Sequence, residues 1–75
     1  MIARTVLRAH QLRSVGPGQR WLVEREWLSD HRVMQRINEG RPVLENEWRE
    51  TARWSDLDAE RARLWDDGWE IDLSS

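Results

Sequence analysis

Few residues of this 75-residue chain have the type and spacing that catalysis needs. It holds two histidines, His10 and His31, and no cysteine. A protein zinc site draws three or four ligands from Cys, His and carboxylates, and the chain has neither a Cys pair nor a His-x-x-x-His step. Ser29 and Ser55 could be nucleophiles only with a histidine brought against them; as residues that cap helix starts they need no further explanation. Asp56/Asp58 and Asp66/Asp67 are carboxylate pairs whose simplest state is solvated. Gly16-Pro17-Gly18 is too short to cradle a phosphate and precedes no clear helix. The chain therefore reads as a protein that binds rather than catalyses, with no cofactor and no metal.

Its binding chemistry lies in arginine and tryptophan. All twelve basic residues are Arg and all six aromatics are Trp. A GC-rich genome is the simplest source of the arginine bias; selection for bidentate contacts to phosphate or carboxylate is the sharper one. Net charge is −2, yet the charge is segregated. The first twenty residues hold Arg4, Arg8, Arg13 and Arg20 without an acid, whereas positions 44–75 are strongly acidic. The two ends either pair with each other in the fold or offer separate faces to an anion and a cation. With no apolar run long enough for a membrane span and no leader-like start, a cytoplasmic bacterial or phage protein is expected.

A chain of this length is one domain, 1–75, with a marginal core. Without disulfides, large side chains must hold it together. Four of the tryptophans form two matched phrases, Trp21-x5-Trp27-Leu28-Ser29-Asp30 and Trp48-x5-Trp54-Ser55-Asp56. Each leads into a helix-like run that stops at a glycine. In the first, Val33, Met34 and Ile37 form an apolar stripe over 30–39, ended by Gly40 and Pro42. In the second, Leu57, Leu64 and Trp65 share a face over 56–67, with a capping-box-like start at Ser55 and Asp58 and a stop at Gly68. Asp66 and Asp67 lie at the unfavourable end of that helix's dipole. Residues 2–13, 20–28 and 43–54 fit helix and strand equally well; Glu45-Asn46-Glu47 could form a hairpin tip, and Trp69, Ile71 and Leu73 alternate as in a short strand. The expected fold is a small α+β domain with two main helices, 30–39 and 56–67, and short strands around them; an all-α domain is the alternative.

Between Leu28 and Leu44, Ser29 is followed by Val33, Ile37, Glu39-Gly40-Arg41 and Pro42-Val43. This order resembles the recognition-helix region of winged helix-turn-helix proteins, the phage excisionases and MerR-like regulators. Trp21 to Trp27 looks like the opening of some excisionases, and Trp48-Arg49 with Ser55-Asp56-Leu57-Asp58-Ala59 looks like a wing strand and its following helix. The resemblance spans residues 21–60. It implies a helix in the major groove of duplex DNA, with Arg32, Gln35, Arg36 and Asn38 turned outward to bases or phosphates and Arg41, Arg49 and Arg53 following the backbone from the wing.

Two functions follow. The first is a small phage- or mobile-element-type DNA-binding protein, acting as a regulator or architectural factor. The second is a non-enzymatic adaptor or inhibitor that docks on a larger bacterial or phage protein complex, as anti-CRISPR proteins do. That reading uses Trp65, Asp66, Asp67, Trp69 and Glu70 and requires an exposed tryptophan bordered by acids. Self-association into a homo-oligomer is a further possibility.

Overall fold

The computed structural model describes residues 2–38 and 47–72. A sheet dominates it. Strands β1 (Thr5–Gly16), β2 (Gln19–Leu28), β3 (Arg32–Asn38) and β4 (Arg49–Arg53) are followed by one helix, α1 (Leu57–Asp66), and a two-residue strand, β5 (Glu70–Ile71). The sheet order is β4-β3-β2-β1-β5, and every neighbouring pair is antiparallel. The first four strands form a meander; β5 returns to the far edge beside β1.

The two helices expected at 30–39 and 56–67 reduce to one. Segment 30–39 is not a helix: its described part is strand β3, central enough to pair with both β2 and β4. A winged helix-turn-helix arrangement and an all-α domain are both ruled out by that sheet. The reason lies in the spacing of Val33 and Ile37. A separation of four keeps two residues on one helical face, and it also keeps them on one face of a strand, where alternate residues share a side. Both are β-branched, which favours the pleated backbone. Pairing then puts Val33, Gln35 and Ile37 on one face and Met34 and Arg36 on the other.

The repeated Ser-Asp phrase serves two purposes. At the first copy it builds the β2–β3 turn. The His31 amide donates to the Leu28 carbonyl at 2.9 Å, and Asp30 Oδ1 accepts from the Arg32 amide at 3.2 Å. Ser29 exchanges two bonds with Arg4, tying the segment before β1 to that turn. At the second copy the phrase starts α1, but the cap is Asp56 rather than Ser55. Asp56 has extended backbone, and its carboxylate accepts from the amides of Asp58 and Ala59. Acids at Asp58 and Glu60 suit the positive end of the helix.

Helix α1 covers one face of the sheet. Leu7, Ala9, Val23, Trp27 and Val33 from that face are buried with Leu64 of α1 and Trp69 beyond it. Val6, Ile37, Trp54, Leu57 and Ile71 pack around them. Trp27 is 1% exposed; burying a tryptophan contributes roughly 4–6 kcal/mol before entropy is subtracted. Its indole Nε1 still donates to Glu60 Oε1 at 3.1 Å, joining helix to sheet. Of the segments that fit either element, 2–13 and 20–28 become β1 and β2, and the described end of 43–54 becomes β4. Residues 43–46, including Glu45 and Asn46 of the expected hairpin tip, lie outside the described residues.

Candidate functional site

Strand alternation separates the side chains expected to read DNA together. Gln35 is on the helix-covered face, where its Oε1 accepts from Arg25 Nε at 2.6 Å. Arg36 is on the open face, where it makes three hydrogen bonds of 3.0–3.1 Å to the Glu24 carboxylate and lies 4.6 Å from the centre of the Trp48 ring. Arg32 folds onto Asp30 at 2.7 Å. Asn38 ends β3, and Arg49 and Arg53 are at the two ends of edge strand β4. The Arg53 guanidinium donates to the Asp30 carbonyl. Arg41 lies outside the described residues. The structure does not bring this set onto one positive face, because the helix that would have done so is a strand.

The open face is instead a lattice of opposite charges. Cross-strand register sets Arg8 beside Glu26 and Glu24 beside both His10 and Arg36. His10 lies between two acids, with Nδ1 2.9 Å from Asp72 Oδ1 and Nε2 2.7 Å from Glu70 Oε2. An open depression of about 410 Å³ lies here, floored by Leu12 and Leu22 and edged by Arg8, His10, Glu24 and Asp72. Its polar groups are already committed, His10 to Asp72, Arg8 to Glu26 and Glu24 to Arg36. With Glu24 and Glu26 paired to Arg36 and Arg8, this part of the face offers no uncompensated positive charge to a phosphate chain. Among the described residues no group of three or more His, Asp or Glu could hold a metal ion. His31 is committed too: its ring stacks on Trp54 with centroids 4.3 Å apart, and Nδ1 donates to the Trp54 carbonyl at 3.0 Å.

Of the second expected set, Trp65, Asp66, Asp67, Trp69 and Glu70, the first three converge at the end of α1; Trp69 is buried, and the Glu70 carboxylate turns to His10 on the open face. Asp67 caps the helix, Gly68 takes φ +77°, and two bonds close the end: the Gly68 amide to the Trp65 carbonyl (3.3 Å) and the Trp69 amide to the Leu64 carbonyl (2.9 Å). This is the Schellman arrangement, in which the residue after the glycine packs back on the last turn. Trp69 therefore goes into the core against Leu64 and is 4% exposed, so it is an anchor and not a contact residue. Trp65, one turn earlier, points away from the sheet and is 71% exposed. Asp66, Asp67 and Glu70 are exposed beside it in the chain.

Sequence reasoning missed two arginines that attend Trp69. Arg25 lies 4.5 Å and Arg13 5.4 Å from the centre of its ring. Burial first, and then the like charge of Arg13, lowers the Arg25 pKa below the usual arginine value, with Asp67 and Glu60 opposing the shift. Nothing local in the sequence signals this, because Trp69 reaches Arg13 and Arg25 only after β5 returns to β1. At the β2–β3 turn, Asp30 is held below the usual aspartate pKa: desolvation pushes upward, but bonds from the Arg32 amide and guanidinium outweigh it.

No family model matches the chain, and neither a curated protein nor a solved structure matches it.

Proposed function

We propose that the protein is a non-enzymatic binding module, an adaptor or inhibitor that docks on a larger bacterial or phage protein complex through the end of α1. The observation that carries this reading is Trp65. A small domain that buries Trp27 and Trp69 to make its core leaves this equally large ring 71% exposed. Tryptophan is among the residues that most often dominate interface energy. Asp66 and Asp67, with the partial negative charge of the helix end, favour a partner surface that carries Arg or Lys. The two acids that are unfavourable for an isolated helix acquire a use when a cation covers them.

The test is retention of a partner from bacterial lysate, with and without nuclease, on immobilised protein, comparing wild type with Trp65→Ala. Because Trp65 is outside the core, the variant should keep its thermal unfolding curve. Partner affinity should fall about thirtyfold or more, which corresponds to a truncation cost of about 2 kcal/mol. Retention that survives Trp65→Ala unchanged, or that disappears with nuclease, would rule the reading out.

A further inference from the structure

The positive charge that the open face neutralises is left uncompensated elsewhere, on the far half of the β1–β2 hairpin. Among the described residues, β3 pairs with β2 only as far as Leu22↔Asn38, and β5 pairs with β1 at Ala9 and His10. Beyond those points, among the described residues, β1 and β2 pair with each other alone, through Arg13↔Trp21, Ser14↔Arg20 and Gly16↔Gln19. The result is a two-stranded ribbon that extends past the described ends of β3 and β5. It turns at Pro17-Gly18, where Gly18 takes φ +73°.

The ribbon's charge differs from that of the rest of the molecule. Residues 11–22 contain Arg13 and Arg20 and no acid. The next acid along β2, Glu24, is held by Arg36. Arg8, Arg32, Arg36, Arg61 and Arg63 each contact a carboxylate. Arg13 and Arg20 contact none among the described residues; Arg13 Nε donates to the neutral Gln11 side chain at 2.9 Å and its guanidinium lies 5.4 Å from the centre of the Trp69 ring, contacts that leave its charge unneutralised. Both arginines are exposed. Their register partners place them on opposite faces of the ribbon, Arg13 with Trp21 and Arg20 with Ser14.

We infer that this ribbon is a binding site for duplex DNA, lying in the major groove with Arg13 and Arg20 directed to phosphates on its two sides. The major groove, about 12 Å wide, admits a two-stranded ribbon. Guanidinium groups on both faces fit an occupant that presents anions on both walls, which a flat anionic surface does not. The overall charge of −2 is no obstacle, because the acids are sequestered in ion pairs or lie away from the ribbon tip. Binding is independent of Trp65, so the docking function of α1 and this site can fail separately.

The experiment is fluorescence anisotropy of a labelled duplex of about twenty base pairs, and of its single strand, titrated with the whole protein across a salt series. The duplex should bind in low salt, with a log–log salt slope of about −2 for two phosphate contacts. Arg20→Glu, at a side chain with no ion pair among the described residues, should weaken binding at least tenfold. Arg13→Ala/Arg20→Ala should remove most of the salt slope. Arg61→Ala, on the helix, should bind as wild type does. Absence of duplex binding in low salt, tighter binding of the single strand, or an equal loss from Arg61→Ala would each overturn the assignment. Near-ultraviolet circular dichroism of every variant separates loss of the site from loss of the fold.

Discussion

His31 shows how one residue can hold a turn against its own backbone preference. It takes φ +73° without being glycine, a conformation that costs an L-residue roughly 1–2 kcal/mol, although histidine tolerates it better than most. It is kept there by its stack on Trp54 and by two bonds, one from its ring to the Trp54 carbonyl and one from the Trp54 amide to its own carbonyl. An aromatic stack contributes about 0.5–1.5 kcal/mol, so contact and strain nearly balance. His31→Ala keeps the strain and the backbone bond but loses the stack and the ring bond; it should destabilise by about 1–2 kcal/mol in urea unfolding. His31→Gly loses the same contacts but relieves the backbone, and should cost less than about 1 kcal/mol. Identical midpoints for the two variants would show that the left-handed backbone carries no strain.

At the scale of elements, α1 depends on its two ends more than on its faces, since Leu64 is its one fully buried residue. Gly68 is central, because its positive φ sends Trp69 back into the core. The space around it would accept a methyl group: an added Cβ would meet nothing closer than the Gln11 side chain at 3.9 Å. The cost of Gly68→Ala is therefore conformational, about 1–2 kcal/mol, with Gly68→Asn milder. Denaturant midpoints for the pair would show it, and equal losses would point to packing instead. This element was legible in the sequence because an acidic start and a terminal glycine bracket it. Segment 30–39 was misread because Val33 and Ile37 satisfy both periods, and because a Ser-Asp pair that can cap a helix can also close a hairpin. The site divided in the same way. Trp65 with its acids follows from local spacing, whereas Arg13 and Arg20 become a pair only once β1 and β2 are in register.

At the scale of the molecule, the fold keeps the charge segregation of the chain visible: a ribbon with uncompensated arginines, an ion-paired open face, and an acidic helix end with Trp65 beside it. The tryptophans divide accordingly. Trp27 and Trp69 are buried, Trp21, Trp48 and Trp54 are half-buried, and Trp65 is exposed. Acrylamide should therefore quench a readily accessible fraction of the emission, and Trp65→Phe should remove that fraction. An unchanged quenching curve would mean that Trp65 is shielded in solution, as self-association through α1 would require. The return of β5 has a consequence for assembly. The β1–β2 and β2–β3 hairpins close short turns, but contacts such as His10 to Asp72 join residues 62 positions apart. Closing so long a loop costs roughly 2–3 kcal/mol more than a tight turn, and β5 meets this with two paired residues. The grip of Glu70 and Asp72 on His10, with the burial of Trp69, must supply the rest. The outer edge at β5 is thus the least cooperative part of the sheet: its amides open to solvent exchange by local release, while β2 and β3 open only when the whole domain unfolds.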